Sequence, residues 1–129
     1  MKKSSPFSLK ERLQSFIPVF NGIKLLFQNE HNSWVHLFCA VGSVIIGIVV
    51  QLSSIEWLFL LLAIALVFFA ELFNTALERL ADKVEPNFDF TIGAVKDYAS
   101  AAVLIASIFA VIVGVVLFLS LVGVKTSNG

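Results

Sequence analysis

Apolar and polar positions alternate along this chain in two distinct ways. In the first 30 residues, Leu13, Phe16, Ile17, Phe20, Ile23 and Phe27 recur at helical spacing, while Lys10, Arg12, Gln14 and Asn21 occupy the intervening positions. That pattern predicts an amphipathic helix over about residues 7–29, lying in the plane of a membrane surface. Pro18 is expected to kink or split it, because a proline ring clashes with the carbonyl four residues back. After residue 33 the pattern gives way to long apolar runs. Trp34–Leu52, Trp57–Ala70 and Ala99–Val124 predict three spans, at about 34–52, 57–80 and 97–124. The middle run reaches crossing length only by continuing through Glu71-Leu72-Phe73-Asn74 towards Leu80. Trp34 and Trp57 stand at span ends, where indole rings prefer the interface. The expected fold is all-α, a single membrane domain over 1–129 with a surface helix and three transmembrane helices.

Composition supports this reading. Of 129 residues, 58% are hydrophobic and 14% charged, against about 25% charged in an ordinary soluble domain. The chain starts without the continuous apolar stretch and small-residue cleavage site of a signal peptide. Basic residues set the orientation. Lys2, Lys3, Lys10, Arg12 and Lys24 precede the first span, and Arg79, Lys83 and Lys96 lie between the second and third. The link Gln51–Glu56 has neither Lys nor Arg. Positive-inside asymmetry places the N-terminus and the 79–98 region in the cytoplasm and the C-terminus on the opposite side, with Lys125 the one dissenting charge. A net charge of zero leaves no basic surface for nucleic acid. The single cysteine, Cys39, reads as a small apolar residue.

The informative stretch is Glu71 to Asp82. At 100° per residue Glu78 falls within about 20° of Glu71, Asp82 about 20° to the other side, and Asn74 about 60° away on the same flank. Carboxylates near lipid cost about 2.5–3.5 kcal/mol each, so such a stripe belongs against a partner helix or a wet cavity. A structural alternative is pairing with Arg79 and Lys83, which would leave Glu78 and Asp82 as a solvated helix end. Two further clusters share the cytoplasmic side: Glu30, closing Gln28-Asn29-Glu30, and Asn87, Asp89, Lys96 and Asp97 around the start of the last span. Magnesium takes few carboxylates plus waters and phosphate oxygens, and a pair such as Glu30 and Glu78 would suffice. Glu71 has the chemistry of a general base towards a lipid hydroxyl. Gly42 and Gly47 have P-loop spacing, but Ile48 stands where lysine is needed. His31 and His36 have no companions for a zinc site, and His36 reads as a hydrogen-bonded interfacial residue.

Glu71-Leu72-Phe73-Asn74-Thr75-Ala76-Leu77-Glu78, with Asp82 four residues on, resembles the E-x-x-N-S/T-A-x-E signature of the prokaryotic diacylglycerol kinase family. Lys96-Asp97-Tyr98-Ala99-Ser100-Ala101-Ala102-Val103-Leu104 resembles the family's K-D-x-x-S/A-A/G-A-V-L run, and Gly22 and Glu30 also align. The resemblance covers about residues 7–115. It implies a homotrimer of three-span subunits with active sites at subunit interfaces, which uses ATP and Mg²⁺ to phosphorylate a lipid alcohol, diacylglycerol or undecaprenol, at the cytoplasmic face of the inner membrane. It further implies Glu71 as catalytic base, Glu30 and Glu78 as magnesium ligands, and these two with Asn87, Asp89, Lys96 and Asp97 as the ATP site. Asn74, Asp82 and Ser100 would support the site or the lipid. The family's surface-helix arginine aligns nearest Glu11, with Arg12 and Lys10 beside it, and the resemblance implies Arg12 as a substrate-binding or supporting residue. Pro18 stands where an aromatic residue is common. His36 replaces an acid of the diacylglycerol-specific members, and Asn32/His36 with Val84-Glu85-Pro86-Asn87 look more like members that phosphorylate undecaprenol. The readings outside this family are a small proton or ion relay built on Glu71 and Glu78, and an assembly subunit without chemistry.

Overall fold

The computed structural model describes residues 8–127, with side chains described as far as Gly123. Lys2 and Lys3, Phe7 at the expected start of the surface helix, and the Lys125 side chain lie outside that description. The described residues form five α-helices and no strand: α1 (Leu9–Gln14), α2 (Phe16–Asn29), α3 (His31–Val49), α4 (Ser54–Val84) and α5 (Phe90–Ser127).

The N-terminal helix is split, with its break at Ser15 rather than at the proline itself. Pro18 sits in the first turn of α2, where a missing N–H costs no intrahelical bond, and its ring bars the carbonyl of Gln14 from continuing the helix. The helix α1 packs on α2 alone among the five elements, whereas α2 packs on both α3 and α4. A single extended residue, Glu30 (φ −116°, ψ 108°), ends α2 and starts α3. The corner is pinned by Trp34, whose Nε1 donates to the Phe27 carbonyl at 2.8 Å. The Phe27 ring stands 5.2 Å from Trp34 and 6.1 Å from Phe68 of α4, centroid to centroid.

Three helices are long and apolar enough to cross a membrane: His31–Val49, Ser54–Val84 and the run from Phe90 to Gly123. Their ends differ from the sequence expectation, and the caps explain how. The first span stops at Val49 instead of 52, because Gln51 takes a left-handed conformation (φ 58°). The turn then closes with Leu52 N–H on the Gly47 carbonyl and Gln51 N–H on the Ile48 carbonyl, at 3.1 and 3.2 Å. This is the Schellman arrangement of a helix terminus. Helix α4 opens three residues before Trp57, on a capping box in which Glu56 N–H donates to Ser53 Oγ and Ser53 N–H to Glu56 Oε2. The other Glu56 oxygen accepts from Ser120 of α5 at 3.4 Å. Helix α5 begins at Phe90, seven residues ahead of the expected 97, because Asp89 accepts from Ile92 N–H at 2.9 Å. Lys96 and Asp97 therefore lie within a helix, not at its start.

At 31 residues α4 is about 46 Å long, well beyond an ~30 Å hydrocarbon core. The excess is the Glu71–Val84 end, which carries the polar stripe. Helix α5 packs chiefly along α4, and α3 packs on α4 as well. The buried apolar side chains are mostly small: Ala63, Val67, Ala70, Ala81 and Ala99, with Leu26, Leu60 and Val113. Small residues let helix backbones approach closely where lipid supplies no hydrophobic drive for association.

Candidate functional site

The stripe on α4 is graded from inside to outside. Glu71 is 4% exposed, Glu78 is half-buried, and the Asp82 side chain is 65% exposed. Each end of the row meets a different helix. Glu71 Oε1 lies 3.0 Å from His36 Nε2 of α3. Asp82 Oδ1 accepts from Lys96 Nζ of α5 at 2.8 Å. Between them, Asn74 Oδ1 accepts from Ser100 Oγ at 3.5 Å, and the same hydroxyl bonds the Lys96 carbonyl at 3.0 Å. Glu78 also acts electrostatically on the Lys96 ammonium. The structure thus brings Asn74, Glu78, Asp82, Lys96 and Ser100 onto one α4–α5 seam, while Glu71 faces α3. Neither Arg79 nor Lys83 pairs with these acids; their partners, His36 and Lys96, come from neighbouring helices instead.

The remaining sequence candidates stand apart or carry structural duties. Glu30 occupies the α2–α3 corner, half-buried, its own N–H bonded to the Leu26 carbonyl. Asn87 N–H donates to Glu85 Oε1, and Asp89 caps α5, so part of the expected nucleotide loop is committed to holding its own shape. Asp97 is exposed. Arg12 lies in α1, whose packing is with α2.

Residues able to hold magnesium can be judged by their donor set. Among the described residues no three His, Cys, Asp or Glu side chains converge in one chain as a metal site. Glu30 and Glu78 are both half-buried, and neither carboxylate is in an ion pair among the described residues. Two open carboxylates suit a metal that completes its octahedron with water and phosphate oxygens.

Beside Asn74, an apolar groove of about 410 Å³ runs between α4 and α5, lined by Phe69, Phe73, Leu77, Tyr98 and Ala102. It offers a place for a hydrocarbon chain next to the polar seam. Sequence reading made His36 an interfacial hydrogen-bonding residue and a mark of substrate class, without linking it to Glu71. Its spacing along α3 carries no signal that α3 faces α4 at the level of Glu71.

The profile of the prokaryotic diacylglycerol kinase family matches residues 19–118. The chain belongs to that family. It is a multi-pass membrane protein and a lipid kinase, and the ion-relay and non-enzymatic readings are not favoured. Among its relatives is the undecaprenol kinase of Bacillus subtilis (strain 168), 33% identical over 111 residues, which are 86% of this chain and 90% of that one. Another is the diacylglycerol kinase of Synechocystis sp. (strain ATCC 27184 / PCC 6803 / Kazusa), 36% identical over 103 residues. That match takes in 79% of this chain and 59% of the Synechocystis protein.

Proposed function

We propose that this lipid kinase transfers the γ-phosphoryl group of ATP, with Mg²⁺, to the hydroxyl of a membrane lipid alcohol at the cytoplasmic face of the inner membrane. The observation that carries the reading is the graded α4 row. A buried carboxylate, Glu71, sits at the apolar end, and a Lys96–Asp82 pair stands about three turns on towards the charged end. A lipid hydroxyl can reach the first from the bilayer, and a nucleotide the second from water.

In this mechanism Glu71 takes the proton of the lipid hydroxyl as its oxygen bonds to the γ-phosphorus. The bond from that phosphorus to the β–γ bridging oxygen breaks, and ADP leaves. Lys96 neutralises phosphate charge, its ammonium steadied by Asp82. Ser100 and Asn74 orient polar groups of the lipid. Glu30 and Glu78 are the residues to hold magnesium, which would supply charge neutralisation on the transferred phosphate. Asn87, Asp89 and Asp97 belong to the nucleotide side, and Arg12 to the membrane-surface side of the substrate. The N-terminus is cytoplasmic, α1–α2 lie along the membrane surface, and the functional unit is a homotrimer with interfacial sites.

Undecaprenol is the first substrate to test. Its support is the near full-length match to an undecaprenol kinase, together with His36 at Glu71, where diacylglycerol-specific members carry an acid. Diacylglycerol is the second reading, favoured by the 36% identity to a diacylglycerol kinase. Reconstituted protein incubated with labelled ATP, Mg²⁺ and each lipid in parallel separates them. Label in undecaprenyl phosphate, lost in Glu71→Gln, is the expected result. Label in phosphatidate alone would transfer the assignment to diacylglycerol. Label in neither lipid, with folded and assembled protein, would defeat both.

A further inference from the structure

We propose that His36 is a positioning residue for Glu71, presenting one carboxylate oxygen to the lipid hydroxyl by holding the other; this rests on Glu71 being the base. Glu71 is almost fully buried on α4, flanked by Val67, Ala70 and Thr75, all buried as well. An ionised carboxylate in such surroundings needs a donor. The donor that the fold supplies is the imidazole of His36, Nε2 to Oε1 at 3.0 Å.

Two buried hydroxyls, Thr75 Oγ1 on α4 and Ser33 Oγ on α3, have no hydrogen-bond partner among the described residues, and neither is bonded to Glu71. The other polar groups along these helices are engaged elsewhere. Ser43 Oγ, one helical stretch further along α3, bonds the Cys39 carbonyl. Lys96 is held by Asp82, and Ser100 by Asn74 and the Lys96 carbonyl. The His36 side chain is 24% exposed and lines an apolar cavity of about 320 Å³ between α3, α4 and α5, with Val67 and Phe68 on its α4 side. The contact therefore joins two helices across an otherwise greasy seam.

The geometry divides the carboxylate's labour. With the ring proton on Nε2 donated to Oε1, that oxygen and the plane of the carboxylate are fixed. Oε2 remains to receive the proton of the lipid hydroxyl. Orientation of this kind matters because a misplacement of about 1 Å can cost about 10²-fold in rate. The role acts on the transfer step and not on nucleotide binding, which lies along the Lys96–Asp82 end.

The test compares His36→Phe, His36→Gln and Glu71→Gln in reconstituted trimer or whichever assembly the wild type forms. His36→Phe keeps the bulk and removes the donor; kcat should fall about tenfold or more, with the KM for ATP within about twofold of wild type. His36→Gln restores an N–H donor and should recover most of kcat. Equal kcat in His36→Phe and wild type, or a loss confined to the KM for ATP, would overturn the proposal. So would a His36→Gln variant as slow as His36→Phe. Should His36→Phe fail to assemble, ¹⁵N spectra of the wild-type imidazole decide: a protonated Nε2 whose signal moves in Glu71→Gln is expected, and a bare Nε2 insensitive to Glu71 overturns it. Full transfer activity in Glu71→Gln is a separate outcome, which removes the base assignment itself.

Discussion

Lys96 and Asp82 meet at 2.8 Å across the turn that joins α4 to α5, on residues fourteen apart in the chain. Both side chains are open to water, at 37% and 65% exposure, so the pair is poorly placed to hold the helices together. In the proposed mechanism it keeps an ammonium oriented towards an arriving phosphate.

That difference gives an expected pattern. Lys96→Met should raise the KM for ATP by about tenfold or more, through loss of one charge-assisted contact. Asp82→Asn should have a smaller effect of the same sign, with Tm barely changed in either. Initial rates over an ATP titration, alongside thermal melts, check it. A large drop in Tm with unchanged KM would make the pair structural.

Magnesium dependence should report on the two half-buried carboxylates. Glu30→Ala and Glu78→Ala are each expected to move the Mg²⁺ activation curve to higher concentration, since each removes a charged oxygen ligand. Glu85→Ala, whose carboxylate caps the local turn at Asn87, should leave the midpoint in place. Superimposable curves for wild type, Glu30→Ala and Glu78→Ala would remove the metal assignment.

Gln51 holds a left-handed conformation at the end of α3 that a side chain disfavours by about 1–2 kcal/mol. Gln51→Gly should therefore stabilise the protein by up to about 1 kcal/mol while leaving kinase activity unaltered, the site being at the other end of α4. Unfolding in a mild detergent titrated with a denaturing one measures the change. A destabilised Gln51→Gly variant would mean that the Gln51 side chain has a role of its own.

Gly47 sits where α3 approaches the start of α4, and a methyl group there would come within 2.9 Å of Trp57 Cη2 and 3.0 Å of Leu52 Cδ1. Gly47→Ala should cost about 1 kcal/mol as the indole is displaced, and Gly47→Leu about 2–3 kcal/mol. Gly42, with open space around its Cα, should accept alanine without loss of stability. Equal melting of Gly47→Leu and wild type would show that the α3–α4 corner is not tightly packed.

The apolar runs, by their length, announced three membrane helices, and Glu71, Asn74, Glu78 and Asp82 declared a common face through their spacing alone. Both follow from local rules: the rise per residue of a helix set against bilayer thickness, and 100° of rotation per step. Helix ends were legible less well. The left-handed Gln51, the Ser53–Glu56 capping box and the Asp89 cap shifted the starts or stops by three to seven residues, because such caps depend on backbone dihedrals rather than hydropathy. What only the tertiary structure decided is which groups the stripe faces. Arg79 and Lys83 are near the acids in the chain, yet His36 and Lys96, brought in by α3 and α5, are the residues that pair with Glu71 and Asp82. A helix sets the direction of its own side chains by periodicity; which neighbour meets them depends on how the helices pack, and that is a property of all three together.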